Sequence, residues 1–175
     1  MAEPSEPGPV EGPRGFESSA AEAVAGLGAI DGTTFAAMFN LFRVSARLIG
    51  DLESEVYRPA GLSSAGFRVL FTVWVFDELE PRRIAALSGV SRAAVSGVLN
   101  TLARDGLVER TRESSDRRLV TVRLTPEGGR RVVGTYRTQN RREAELFAAL
   151  SPAELDRFSA TMRTLLEGPL PPAEN

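Results

Sequence analysis

The residues of this chain that could do chemistry are few in kind. Its 175 residues include no Cys and no His, and all 21 basic side chains are Arg. Without Cys there is no disulfide, no thiol nucleophile and no thiol redox sensor. Without His there is no imidazole base, and a zinc centre loses its commonest ligand. Without Lys, Schiff-base chemistry is excluded. What remains is carboxylates, hydroxyls, two Tyr and many guanidinium groups. No carboxylate pair marks a cleft, so an enzyme is the weakest reading, and no cofactor is expected.

Guanidinium groups bind phosphate and read guanine edges, so their placement matters more than their number. A GC-rich genome would replace Lys by Arg everywhere. The whole chain carries a net charge of −2. Residues 1–34 hold six acids and one Arg, whereas residues 82–131 hold eleven Arg against five acids. A basic block inside an acidic protein is the electrostatic footprint of nucleic-acid binding.

The elements that must position those Arg side chains run from Pro81 to Leu124. Pro81 suits the first position of a helix, where its missing N–H costs nothing. That helix ends at Ser88-Gly89, and Gly89 can take the left-handed conformation of a sharp turn. Ser91 is an N-cap for a helix from Arg92 to Arg104, closed by Asp105-Gly106. Ala85, then Gly89, then Val95 and Val98 follow the steric pattern of a helix-turn-helix. Leu107 to Arg112 and Leu119 to Leu124 read as strands joined by the polar, doubly basic loop Glu113-Ser-Ser-Asp-Arg-Arg118. A hairpin directly after a helix-turn-helix is a wing. Together the two describe a device for reading DNA.

The rest of the chain is scaffold. Residues 1–30 are expected to be a disordered tail, rich in Pro, Gly and Glu at its start. Within it, Ala-rich residues 17–29 fit a short helix or a mobile tail equally well. A helix from Asp31 or Thr33 to Pro59 has an apolar face of Phe35, Met38, Phe39, Phe42, Ile49, Leu52 and Val56. A second helix, Ala65 to Phe76, is apolar almost all round and is expected to be buried. Asp77 to Glu80 reads as a short connection. Thr125-Pro126 starts a long helix to about Leu150, and Ser151-Pro-Ala-Glu154 is a capping box for the last helix. The fold class is therefore mainly α with a small β-hairpin wing. The domain plan is a tail (1–30), an N-terminal dimerisation helix (31–62), a winged helix-turn-helix domain (63–125), C-terminal dimerisation helices (126–168) and a tail (169–175). The terminal helices cannot bury their apolar stripes on so small a core, so a two-fold homodimer is expected. No apolar run approaches the ~18 residues of a membrane span. No membrane association and a cytoplasmic location are expected.

Three blocks carry a family resemblance: Gly106-Leu107-Val108-Glu109-Arg110, Ser115-Asp116-Arg117-Arg118 and Leu124-Thr125-Pro126-Glu127-Gly128. In order and spacing they resemble the multiple antibiotic resistance regulator (MarR) family, over roughly residues 33–167 and most closely over 84–129. The resemblance implies a homodimeric winged helix-turn-helix transcription regulator, usually a repressor, on double-stranded DNA with a pseudo-palindromic operator. It also implies release by a small, often aromatic, acidic ligand held among the first, second and fifth helices. Branches triggered by thiol oxidation or by zinc do not fit a chain without Cys or His. The urate-responsive branch has an acid after the aromatic early in the second helix, where this chain has Arg68 after Phe67.

On this reading the DNA-binding residues are Ser91, Arg92, Ala93, Ser96 and Asn100 of the reading helix, with Arg112, Asp116, Arg117 and Arg118 of the wing. Arg92 is placed to contact a base, and Arg118 to enter a narrow minor groove. Asp116 would brace the hairpin. Arg82, Arg83 and Arg110 are candidate phosphate contacts. The effector candidates are Asn40, Arg43, Arg47, Trp74 and Tyr136, although Trp74 fits ordinary core packing as well. The alternative function is a winged-helix module that binds protein rather than DNA.

Overall fold

A computed structural model describes residues 12–28, 30–112 and 120–169. The elements in order are α1 (Gly12–Ala25), α2 (Gly32–Leu52), a π-helical turn (Glu53–Tyr57), α3 (Ser64–Phe76), β1 (Glu78–Leu79), α4 (Pro81–Ser88), α5 (Arg92–Arg104), β2 (Val108–Arg112), β3 (Val120–Leu124), α6 (Pro126–Phe147) and α7 (Pro152–Glu167). They fall into two compact units, one ending at Asp51 and one beginning at Leu52.

The first unit is the pair α1 and α2. Residues 12–25 are helical, so the expected tail does not extend over them. A long-range aromatic contact accounts for the difference. The Phe16 ring meets Phe39 edge-on at 5.3 Å, and the Arg43 guanidinium stands over both rings at 5.6 and 5.3 Å. Cation–π contacts of this kind stabilise by about 0.5–1 kcal/mol at exposed sites. Asp31 caps α2 by accepting from the backbone N–H groups of Thr33 and Thr34.

The second unit holds the winged domain. The π turn replaces the last α-helical turn expected before Pro59, and it buries Val56 and Tyr57 side by side. Glu53 reaches forward from it and accepts from the Ser64 backbone N–H at 3.0 Å. Ser63 caps α3, accepting from Gly66 N–H. Phe67, Val69, Leu70 and Val73 of α3 are buried. Its last turn corrects the expectation of all-round burial: Trp74, Val75 and Phe76 are each about half exposed. The Asp77–Glu80 connection contains β1, which joins the wing strands in a three-stranded antiparallel sheet of order β1-β3-β2. Leu79 pairs with Val122, and the hairpin runs in register from Val108↔Leu124 to Arg112↔Val120.

The core beneath the reading head is Leu70, Ile84, Val95, Leu99, Leu107, Val122 and Val132, all essentially inaccessible. Gly128 is required where α6 leaves the sheet. A β-carbon there would stand 1.9 Å from the Leu107 carbonyl oxygen. Thr125 makes the same junction, donating to the Gly106 carbonyl at 2.7 Å while capping α6 through Gly128 N–H. That close approach explains why a Gly follows three residues after the capping Thr. On α7 the Ser151–Glu154 capping box forms as the sequence predicts. No residue of α7 is buried, and Leu165 and Leu166 are 63% and 85% exposed.

Candidate nucleic-acid interface

The reading head begins with the turn between α4 and α5. Gly89 adopts φ +66°, the left-handed conformation its position demands. Buried Ser88 accepts from Val90 N–H across the turn. Ser91 then caps α5, accepting from Ala94 N–H at 3.3 Å. Val95, Leu99 and Leu102 turn inward and are buried. The opposite face presents Ser91, Arg92, Ala93, Ser96 and Asn100, all exposed. Arg92, Ser96 and Asn100 are four residues apart, hence stacked along one side of the helix.

Beside that face lies a cavity of about 370 Å³ with Arg82, Arg92 and Arg110 on its walls, Ser96 between them, and Val95 and Leu99 beneath. Three guanidinium groups from α4, α5 and β2 surround it, and among the described residues no carboxylate lines it. Such an arrangement attracts phosphate oxygens. Arg110 is held in place by a 2.7 Å hydrogen bond to Asn100 Oδ1. Arg82 and Arg110, which the sequence marks only as general phosphate contacts, thus share one site with Arg92.

Other Arg side chains are already paired. Arg104 meets Asp105 at 3.0 Å. Arg123 approaches Asp77 at 3.5 Å and Glu78 at 4.0 Å, tying β3 to the end of α3. Glu127 receives both Arg130 and Arg131, whose hydrogen bonds hold its carboxyl below the usual range. Arg112 ends β2 opposite Val120. Asp116, Arg117 and Arg118 lie outside the described residues.

A second cavity, about 290 Å³, lies among the π turn, α3, α4 and α6. Tyr57, Phe67, Phe71 and Tyr136 form its aromatic wall, and Arg68, Thr72, Leu87, Ser88 and Gln139 complete it. Tyr57 and Phe67 stack at 4.9 Å, and Phe71 lies 5.2 Å from Tyr136. The Tyr57 hydroxyl donates to Gln139 Oε1 at 3.0 Å. Burial, with the charges of Glu143 and Glu53, pushes its pKa up to about 12, while Arg68 opposes that rise. Of the five effector candidates, only Tyr136 lines this cavity. Trp74 stands outside it, 5.7 Å from Phe71. Asn40, Arg43 and Arg47 belong to α2 in the first unit. Tyr57 and Gln139 line this cavity, and the sequence alone did not single them out. A lone guanidinium in an otherwise apolar helix was the available signal for Arg68.

A helix-turn-helix with a three-stranded wing and a cluster of Arg on its reading face, with no carboxylate among the described residues that line it, defines a winged-helix DNA-binding regulator. Comparisons with known proteins agree. Residues 62–120 match the model of the MarR family. The uncharacterized HTH-type transcriptional regulator YwaE of Bacillus subtilis is 34% identical over 128 residues, 73% of this chain and 75% of that protein. The HTH-type transcriptional repressor YetL of the same organism is 31% identical over 105 residues, 59% of this chain and 62% of that one. A point mutant of Escherichia coli MarR, solved with operator DNA, superposes with a TM-score of 0.63 at 22% identity, over 75% of this chain and 97% of that one. The chain belongs to the MarR family of transcriptional regulators. Both Bacillus subtilis relatives are transcriptional regulators of the helix-turn-helix type.

Proposed function

We propose that this regulator is a homodimeric repressor that holds a pseudo-palindromic operator and lets it go when a small aromatic acid binds. The observation that carries the DNA contact is the cluster of Arg82, Arg92 and Arg110 beside the exposed face of α5, with no carboxylate among the described residues lining it. Ser91, Arg92, Ala93 and Ser96 at the start of α5 would enter the major groove, where recognition helices meet base edges. Arg110, held by Asn100, would meet phosphate. On the wing, Arg118 would enter the minor groove, Arg112 and Arg117 would meet phosphate, and Asp116 would brace the hairpin. The solved complex of the Escherichia coli relative with operator DNA supports this docking, and the repressor relative YetL supports the sign of regulation.

Residues 31–62 and 126–168, which flank the reading domain (63–125) in sequence, would dimerise. Two sets of exposed apolar side chains support this: Phe42, Val44 and Ile49 on α2, and Phe158, Leu165 and Leu166 on α7. Each is too apolar to be left in water in a lone chain. The effector reading rests on the aromatic cavity beneath α3 and α6 rather than on Asn40, Arg43, Arg47 or Trp74. We place this activity in the cytoplasm, with the operator DNA. Among the described residues, no helix is long and apolar enough to cross a membrane. Selection of bound duplexes from a random pool tests the reading. A consensus with dyad symmetry is the expected result; a consensus without it would refute the paired reading heads.

A further inference from the structure

Among the described residues, Asp77 stands in a conformation that its type resists. Its φ of 64° and ψ of −53° lie close to the rare and strained γ-turn geometry. Every other described residue with positive φ is a glycine. The strain has a plain origin: α3 ends at Phe76 and β1 begins at Glu78, so a single residue must turn the chain. The turn is held from its far side. Leu79 is buried, Glu78 and Leu79 pair with Arg123 and Val122 of β3, and the Thr121 hydroxyl donates to Glu78 Oε1. Glycine would make this turn without strain. What aspartate adds, and glycine cannot, is a carboxylate, and it lies 3.5 Å from Arg123 Nη2.

Magnitudes decide what that carboxylate is for. The side chains of Asp77 and Arg123 are 86% and 47% exposed, and an ion pair so exposed adds little to stability. It is too weak to offset backbone strain, so its use is orientation. Arg123 is the middle of a row across the sheet, directly opposite Glu78 on β1 and Glu109 on β2. Residues directly opposite one another share a face. The neighbouring row, Leu79, Val122 and Arg110, takes the other face. There Arg110 bonds to Asn100 of α5. We propose that Asp77 is a positioning residue for DNA binding. Its carboxylate fixes Arg123 against the end of α3, sets the tilt of the β2–β3 hairpin at its base, and so holds Arg110 where it meets an operator phosphate. This rests on the docking proposed above and adds a residue that touches no DNA to it.

The test uses the full chain and its selected duplex. Charge alone predicts that removing an acid near DNA strengthens binding or leaves it unchanged; the positioning role predicts the reverse. Asp77→Gly should raise the urea midpoint, because the turn loses its strain. It should also weaken operator binding about two- to fivefold, the span that an exposed ion pair can transmit. Stability and affinity then move in opposite directions, which a merely structural role does not produce. Asp77→Asn keeps the shape and tolerates positive φ. It should leave the midpoint near that of the wild type and weaken binding similarly. Arg123→Gln should weaken binding with the salt slope unchanged. In the Asp77→Gly background, Arg110→Ala should cost less affinity than in the wild type, because residues that act through one another are not additive. Unchanged or tighter binding by Asp77→Asn overturns the proposal, as does a lower urea midpoint in Asp77→Gly. So does additivity of Asp77→Gly with Arg110→Ala, or a salt slope reduced by about 1 in Arg123→Gln, which would put Arg123 on a phosphate. If the wild-type chain binds no duplex, the docking fails and this inference with it. If it binds and the variants break the pattern, the inference alone fails.

Discussion

Asn100, on the third turn of α5, accepts a 2.7 Å hydrogen bond from the Arg110 guanidinium on β2. This ties the reading helix to the wing's first strand through two exposed side chains. In the docking proposed above the two have different work. Arg110 has charge for a phosphate, whereas Asn100 uses its carbonyl oxygen to hold that charge in place. Arg110→Ala should therefore lower affinity equally across operator variants and reduce the salt slope by about 1, as loss of one phosphate contact does. Asn100→Ala should act in the same direction but more weakly. Anisotropy titrations at several salt concentrations check both. A changed base preference in Asn100→Ala would mean that Asn100 reads bases itself.

Arg92 stands at the first position of α5, next to the Ser91 cap. Arg92→Ala should relax preference at one base position per half-site, at a cost of ~1–3 kcal/mol for the preferred base. Repeating the duplex selection with the variant shows this directly. An unchanged consensus with uniformly weaker binding would move Arg92 to the phosphates.

Gly128 carries a stability prediction. With the Leu107 carbonyl oxygen 1.9 Å from its missing β-carbon, Gly128→Ala forces α6 away from the sheet. Overpacking of this kind costs typically ~1–3 kcal/mol, and backbone that cannot move aside belongs at the upper end. Urea denaturation should show a lower midpoint for Gly128→Ala. Gly129→Ala next door meets nothing within 4 Å and should not destabilise.

Tyr57 predicts a pH dependence. Its folded pKa is raised to about 12 from an ordinary value of 10.0, chiefly by burial. The folded state therefore holds this proton where the unfolded chain loses it. The contribution is fully present below pH 10 and is lost as pH rises towards 12. Stability should fall across that window, and Tyr57→Phe should flatten the fall. The tyrosinate absorbance missing from Tyr57→Phe should be the late-titrating part of the wild-type curve.

Much of the reading head was legible in the sequence because steric necessity leaves few choices there. Ala85, Gly89, Val95 and Val98 are constrained by two helices meeting at a sharp turn, and the structure places three of them as their spacing predicts, Ala85 and Val95 buried and Gly89 left-handed, whereas Val98 is only partly buried. The caps at Ser91, Thr125 and Ser151 are local chemistry and were equally readable. Long-range pairings were not. The two residues of β1 are too few to show alternation, and only pairing with β3 makes them a strand. The π turn leaves the apolar period of its helix unbroken, so nothing in the spacing announces it. The run Trp74-Val75-Phe76 is as apolar as the buried turns before it, and only the fold exposes it. The helix α1 depends on Phe16 meeting Phe39 and Arg43, residues far away in the chain. The aromatic cavity likewise draws on the π turn, α3, α4 and α6 together, which is why only Tyr136 of the expected effector residues lines it.

The function proposed for this regulator stands on α5 and its Arg cluster holding operator DNA in a two-headed dimer. Footprinting the selected duplex across a salt series tests that most directly. The expected result is two protected half-sites related by a dyad, about one helical turn (~10 bp) apart, with affinity falling steeply and log-linearly as salt rises. A single protected patch without symmetry, or binding indifferent to salt, would contradict it.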